Sequence, residues 1–174
     1  DELPSAFDNA VARQEVPRIG VKRLSSSIVK IEAAYLDRNT LNFDTVVNVV
    51  LDDWDDDFAF YLIGWLNSDL AAWYMKWSVF NNAVLSISYD SDYLGRLPIP
   101  QWTAAPWQMQ VSTAARVLTA KEVRKFRKGV TNYLEVKGSS HFQINEVFKN
   151  QLNITESERI LLSDILPGAA DEDE

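Results

Sequence analysis

The residues of this chain best suited to recognition chemistry are cations and amides in two polar stretches. Arg can pair with guanine, Asn with adenine, and Lys or Arg with phosphates, so such mixtures are what a reader of DNA sequence needs. The first stretch runs from Lys22 to Lys30 and is joined by a turn further along the chain; the second is a short loop. The candidate contacts are Lys22, Arg23, Ser26, Lys30, Arg38 and Asn39 in the first group and Asn81 and Asn82 in the second.

Two further sets of cations are weaker candidates. Arg96 precedes Leu97-Pro98-Ile99-Pro100 and could hold a phosphate or an internal carboxylate. A predicted helix starting at Thr119 carries cations on the side away from its apolar stripe, which is typical of a phosphate contact, a solubilising face or a dock for an acidic partner. These cations are Lys121, Arg124, Lys125 and Lys128.

The sequence offers little for catalysis. It has no Cys and a single His, His141, so thiolate sites and multi-histidine metal sites are excluded. Its glycines have no G-x-G spacing, so no nucleotide cradle can be argued from them. Glu135-Val136-Lys137 matches part of a metal-dependent nuclease motif, and this alternative predicts Mg²⁺-dependent cleavage lost on Glu135→Ala. We expect no catalytic residue and no metal site in this chain.

The net charge of −8 argues against binding to nucleic acid, but the charge is unevenly distributed. Asp171–Glu174 form an acidic tail, and five aspartates precede Phe58, where they favour the start of a helix by complementing its dipole. A divalent cation site is the alternative for those aspartates. Without these nine charges the remaining chain has a net charge of +1, which leaves room for a basic surface.

The elements that would position these side chains predict an α+β fold. Alternating and β-branched residues from Arg18 to Val50 indicate strands, with a hairpin-like connection at Leu36–Thr40. Apolar residues at three- and four-residue steps from Phe58 to Phe80 predict a buried helix, broken near Asn67-Ser68, with Trp73 and Trp77 in the core. We therefore expect a small mixed or antiparallel sheet packed on an aromatic-rich helix.

The second half of the chain is predicted to be helical. Pro106 suits a first helical position, Thr119 and Glu122 form a capping box, and Gly138-Ser139-Ser140 marks a joint before a helix around residues 144–152. A second capping box at Thr155 and Glu158 begins the last helix. The predicted organisation is a linker at residues 1–17, the α+β core at 18–100, a helical part of the same domain at 101–168 and an acidic tail at 169–174.

The stretch from Leu62 to Pro100 resembles a known family. Its helix containing Leu66-Asn67-Ser68, the polar loop, the short strand and the closing Leu97-Pro98-Ile99-Pro100 follow the order of the TaqI-like specificity domain of N6-adenine DNA methyltransferases and fused restriction-modification enzymes. The segment from Ile144 to Leu166 is similar to that family's closing helical pair. The resemblance spans about Ile19 to Leu166.

The resemblance implies a DNA target-recognition domain, non-catalytic in itself, whose partners are double-stranded DNA and the catalytic methyltransferase domain of a longer parent chain. No cofactor is expected in this part, and S-adenosylmethionine is implied for the catalytic domain. No apolar run approaches the ~20 residues of a membrane span, and a cytoplasmic protein is expected. The alternative is a protein-interaction or assembly module that does not bind nucleic acid.

Overall fold

The computed structural model describes residues 11, 14–25, 30–42, 44–80, 87–127 and 134–165, with only the backbone for residues 25, 87, 121–127, 134–140 and 163–165. The predicted α+β fold is confirmed. The strands are β1 (Arg18–Lys22), β2 (Leu24–Ser25), β3 (Ala33–Leu36), β4 (Val46–Val49) and β5 (Ile87–Ser88). The helices are α1 (Asp56–Leu66), α2 (Asp69–Tyr74), α3 (Ser91–Leu94), α4 (Pro106–Arg127), α5 (Leu134–Gln151) and α6 (Glu156–Ile165), with a π-helical turn at Met75–Val79.

The main sheet is antiparallel and has the order β3-β1-β4. Arg18 pairs with Leu36 and Val21 with Ala33 on one side of β1, while Ile19 pairs with Val49 on the other. The hairpin predicted at Leu36–Thr40 is wrong: the turn is present, but it connects β3 to β4, which flank β1 and do not pair with each other. Local turn chemistry indicates a turn and cannot say which strands lie side by side.

Helix α1 lies at the centre of the protein. Its residues from Ala59 to Leu66 are all buried, because the sheet covers one side and α4 the other. Gly64 allows the close approach of α4, since a Cβ at this position would lie 2.5 Å from Cγ1 of Val111. The side chain of Asp55 caps the helix by accepting hydrogen bonds from the amides of Asp57 and Phe58, so the predicted helix start is confirmed.

The break predicted near Asn67-Ser68 is also confirmed. Asn67 ends α1, and the hydroxyl of Ser68 accepts a hydrogen bond from the amide of Ala71 at the start of α2. The π-helical turn that follows changes the angular spacing of the side chains. As a result the predicted core position of Trp77 is wrong: 42% of this residue is exposed, and Lys76 lies over its ring.

Two predictions about the helical half are wrong. The expected new helix at Thr119 is instead the interior of α4, and the expected joint at Gly138-Ser139-Ser140 lies inside α5. No Pro or Gly interrupts the sequence of α4 after Pro106, and a Thr-x-x-Glu pattern is compatible with a helix interior when the residues before it are already helical. The packing of α4 against both α1 and α5 favours one long helix.

The last helix begins as predicted. The amide of Thr155 donates to the carboxylate of Glu158 at 2.8 Å, and the amide of Glu158 donates to the Thr155 hydroxyl at 3.4 Å, which is the reciprocal pattern of a capping box. Helix α6 is tied to α5 because Arg159 donates to the carboxylate of Glu146 at 2.8 Å. None of the described helices is long and apolar enough to cross a membrane.

Candidate nucleic-acid interface

The pairing of β2 with β5 brings together the described residues from which the two predicted reading stretches continue. Ser25 lies opposite Ile87, and Leu24 lies opposite Ser88. The stretch containing Ser26 therefore leaves this two-stranded ribbon at the same end at which the stretch containing Asn81 and Asn82 enters it. Ser26, Asn81 and Asn82 themselves lie outside the described residues, so only their starting points are fixed by the ribbon.

Three predicted contacts lie at the same end of the main sheet as this ribbon. We call this the basic end and define it by Lys22, Arg23 and Lys30. Lys22 forms an ion pair with Glu32 at 3.2 Å, and Arg23 forms one with the highly exposed carboxylate of Asp44. Exposed pairs of this kind contribute at most about 1 kcal/mol, so a phosphate can compete for either cation.

Lys30 differs from the other two cations of the basic end. It is half-buried, and within the described part of the chain it makes no ion pair. It lies just before β3, whose first residue, Ala33, pairs with Val21. An ammonium group without a carboxylate partner is the simplest phosphate contact at this end, because no internal interaction must be broken first.

Arg38 and Asn39 are not part of this group. They lie in the turn after Leu36, which pairs with Arg18 at the opposite end of β1. Five residues of extended strand separate that position from Arg23, or about 17 Å at roughly 3.4 Å per residue. This exceeds the Debye length of about 8 Å at physiological salt, so the two ends act as separate electrostatic surfaces.

The opposite end of the sheet is held together by Arg18, which the sequence analysis did not single out. Its guanidinium is completely buried and donates to side-chain oxygens of Gln14, Asn42 and Asn48. It also donates to the backbone carbonyls of Gln14, Val16, Asp37 and Thr40. Burial lowers the pKa of Arg18, and the nearby charge of Asp37 opposes that shift.

This opposite end is acidic at its surface. The pKa of Asp37 lies below its ordinary value because the Thr40 hydroxyl and the amide of Asn39 donate hydrogen bonds to its carboxylate. Asp52 and Asp53 follow the end of β4 and are exposed, and neither makes an ion pair within the described ranges. We call Asp37, Asp52 and Asp53 the acidic end of the sheet.

The remaining predicted cations lie elsewhere. Arg96 is exposed, and its guanidinium lies 5.6 Å from the centre of the Tyr93 ring rather than on an internal carboxylate. Lys121, Arg124 and Lys125 belong to α4, for which the structure describes only the backbone at these positions. Lys128 lies outside the described residues. Of these cations only Arg96 has a described side chain, and none of the ion pairs of the basic end involves it.

The Asn67-Ser68 pair of the resemblance has a structural role. The side-chain amide of Asn67 donates to the carbonyls of Ala33 and Ile63 at 2.7 and 2.9 Å, and its oxygen accepts from the amide of Ala33 at 3.2 Å. Asn67 thus pairs with edge strand β3 as a short extra strand would. His141 contacts the Asn67 carbonyl at 3.0 Å, which makes this histidine a helix-end partner.

The side-chain amide of Asn145 fixes α5 to the break between α1 and α2. Asn145 is 5% exposed; its oxygen accepts from the amide of Asp69 at 2.9 Å, and its nitrogen donates to the Asp69 carboxylate at 2.7 Å. The sheet, the break between α1 and α2, and the helical half are therefore connected through hydrogen-bonded side chains. The break between α1 and α2 helps to position the basic end, because Asn67 binds Ala33, which pairs with Val21 next to Lys22.

The Leu97-Pro98-Ile99-Pro100 segment also serves packing. Leu97 is buried, and the carbonyl of Pro100 accepts a hydrogen bond from the hydroxyl of Tyr61 at 3.3 Å. Burial raises the pKa of Tyr61. Beyond this segment, Trp102 contacts the Tyr61 ring with centroids 5.1 Å apart. The motif returns the chain to the buried face of α1.

Two glycines of the described part of the chain lie in tight packing contacts. Gly20 and Gly64 face the side chains of Leu36 and Val111 at distances that leave no room for a Cβ, so they serve helix and strand packing rather than a phosphate cradle. Among the described residues no group of three or more His, Asp or Glu side chains could hold a metal ion. A scan with protein-family models and a search of curated proteins found no match to this chain.

Proposed function

We propose that this chain is a DNA target-recognition domain whose DNA-binding surface is the basic end of the sheet. The observation that carries the proposal is the pairing of Ser25 with Ile87 beside Lys22, Arg23 and Lys30. It supports a single surface in which cations contact phosphates while polar loop residues contact bases. The proposed DNA-binding surface does not include the predicted contacts Arg38 and Asn39, since they lie at the acidic end.

The charge distribution supports this orientation. The basic end has three cations and two carboxylates, the partly buried Glu32 and the exposed Asp44, while the acidic end presents Asp37, Asp52 and Asp53 beside Arg38. An overall charge of −8 then favours one docking orientation, because the acidic surface is repelled by DNA. Affinity is expected to be modest, since few phosphates are neutralised.

Methyl transfer would be the work of another domain. We propose that this domain presents an adenine to a catalytic methyltransferase domain, which would bind S-adenosylmethionine, and that the assembly acts in the cytoplasm. The residues of this chain would bind and orient the duplex only. Specificity would arise from differential binding of one sequence over others.

The test is binding of the chain to mixed-sequence duplex DNA across a salt series, followed by selection of bound sequences. We expect affinity to fall with salt with a slope of about −2 to −3, corresponding to two or three phosphate contacts. Selection should converge on one short motif. A duplex of the selected motif should then compete better than a shuffled duplex of equal length.

Absence of binding at low salt, tested both for the chain and for the chain mixed with a catalytic methyltransferase domain, would contradict the proposal. Binding without convergence on a motif would leave phosphate contact but exclude target recognition. Either result would favour the interaction-module alternative. The acidic end, which bears three aspartates, is the surface that this alternative would use.

A further inference from the structure

Among the described residues, the outer edge of β4 has no strand paired with it. The amide of Arg23 donates to the carbonyl of Thr45 at 2.8 Å, so Val47 and Val49 also direct their backbone groups toward β1. By the alternation of an antiparallel pair, the N–H and C=O of Asn48 point away from the sheet. Within the described part of the chain no strand pairs with that side of β4; the side-chain amide of Asn42 donates to the carbonyl of Val46 at 3.4 Å, two residues before Asn48.

An apolar groove lies beside this free edge. It has a volume of about 370 Å³ and separates β4 from α3 and the segment that follows α3. Leu62 and Leu66 of α1 form part of its lining. Val50 and Ile99 also line the groove and are 52% and 50% exposed, so apolar surface continues to its opening.

The surroundings of the groove are acidic. Asp52 and Asp53 follow Val50 closely in the chain, and Asp92 follows the lining residue Ser91. All three are exposed, and among the described residues none has an ion-pair partner. Arg96 is the nearby opposite charge, and its guanidinium lies over the Tyr93 ring.

We propose that the β4 edge and this groove bind an extended strand of a partner protein in which aliphatic residues alternate with Lys or Arg. The strand's backbone pairs with Asn48, its aliphatic side chains enter the groove, and its cations face the exposed aspartates. Strand addition to a free edge derives affinity from backbone hydrogen bonds and specificity from pockets for alternate side chains. The acidic surroundings exclude DNA as the occupant and select a basic strand.

This inference is independent of DNA recognition, because none of the three cations of the basic end lines the groove. The test uses the full chain labelled with ¹⁵N and an acetylated, amidated peptide of the sequence Lys-Val-Lys-Ile-Lys-Val-Lys. Two control peptides keep the length: one replaces every Lys by Glu, and the other has a methyl group on every backbone nitrogen from the second to the sixth residue, which removes the donors that could pair with Asn48. The readout is the chemical shift and hydrogen exchange of the Asn48 amide.

We expect the Lys peptide to protect the Asn48 amide in a saturable manner and both controls to bind at least about ten-fold more weakly, a difference of about 1.4 kcal/mol. Ile99→Lys should weaken binding about ten-fold by removing an apolar contact and adding a like charge. The matched control Val117→Lys changes a residue of similar exposure on α4 and should have no effect. Asp52→Lys combined with Asp53→Lys should shift the preference toward the Glu peptide.

Equal binding of the three peptides, or no effect of Ile99→Lys, would overturn the proposal. So would an Asn48 amide that is already protected in the free chain. If the Asn48 amide is protected without peptide and the protection does not depend on protein concentration, another part of this chain covers the edge. Protection that rises with concentration would mean that a second copy is the occupant instead.

Discussion

The two ends of the three-stranded sheet differ in how their arginines are used. At one end Arg18 is buried and donates to seven oxygens, none of them a carboxylate. At the other end Arg23 lies at the surface and pairs with the exposed carboxylate of Asp44. The same residue type thus stabilises the fold at one end and is available for a ligand at the other.

The difference shows why burial and partners decide a cation's role better than its position in sequence. Arg18 cannot reach a phosphate without dismantling its surrounding loop, whereas Arg23 only needs to exchange one exposed partner for another. The proposal therefore places stability at the acidic end and DNA contact at the basic end.

The largest effect is expected from Arg18→Met. This change leaves the carbonyls and amide oxygens around the guanidinium without donors in a buried site, and should lower the free energy of unfolding by about 3 to 5 kcal/mol. Urea denaturation followed by circular dichroism measures it. Arg38→Met, which removes an exposed arginine from the same end, should change stability by less than about 0.5 kcal/mol. Equal effects of the two variants would contradict the buried role.

A smaller loss is expected from Asn67→Ala. It removes the side chain that pairs with Ala33, which supports the basic end, and should cost about 2 to 3 kcal/mol because a backbone donor and acceptor lose their partner. Asn39→Ala is the control, since the side chain of Asn39 is exposed. The same denaturation assay applies, and a change below about 0.5 kcal/mol in Asn67→Ala would show that water replaces the amide without cost.

Substitutions of exposed cations at the two ends should differ in their effect on DNA binding and leave the free energy of unfolding unchanged. The double variant Arg23→Ala with Lys30→Ala should reduce the salt slope of duplex binding by about two and lower affinity roughly ten-fold at low salt. Arg38→Ala removes a cation of the acidic end and should leave both quantities unchanged. Fluorescence anisotropy across a salt series measures them. An equal loss in Arg38→Ala would mean that charge alone, and not its location, governs binding.

A gain of a few fold in affinity is expected from neutralising the carboxylates of the basic end. Glu32→Gln and Asp44→Asn each release a cation from an exposed ion pair, so the phosphate no longer competes with a carboxylate. The same anisotropy assay detects the gain at low salt. Asp53→Asn, which removes one charge from the acidic end, should produce a smaller change. If all three substitutions raise affinity equally, only net charge matters.

The smallest effect concerns the pH response of the acidic end. Hydrogen bonds from Thr40 and Asn39 lower the pKa of Asp37 in the folded state, so its stabilising contribution is present above the unfolded value of about 3.9 and is lost as pH falls through the lower folded value. NMR titration of the Asp37 carboxyl carbon should give a midpoint below the ordinary Asp value of about 3.9. Thr40→Val should raise that midpoint. An ordinary midpoint in the unaltered chain would contradict the observed turn geometry.

Features governed by local chemistry could be predicted from the sequence. Asp55 caps α1, Ser68 caps α2, and Thr155 with Glu158 begins α6, because each signal involves residues within a few positions of one another. The strand order and the burial of Arg18 could not be predicted, since they depend on contacts between separate segments, such as that of Arg18 with Asn48, 30 residues later. The helix boundary at Thr119 failed for the same reason, because packing on α1 and α5 overrides a local cap.

The candidate interface divides in the same way. Its residue types were visible in the sequence at Lys22, Arg23 and Lys30, but the separation of Arg38 from them follows from β1 lying between β3 and β4. The convergence of the two polar stretches depends on the pairing of Ser25 with Ile87, which a two-residue strand does not reveal by periodicity. The candidate interface could therefore be located only from the fold, although its residue types were visible in the sequence.

The most direct test of the proposed separation is an NMR titration of the ¹⁵N-labelled chain with the duplex obtained by selection. The account predicts that the largest amide shift changes occur at Lys22, Arg23, Lys30 and Ser88, with little change at Arg38, Asn39 and Asp52. Shift changes that are largest at Arg38 and Asp52, or that spread evenly over both ends, would contradict the assignment of DNA contact to the basic end.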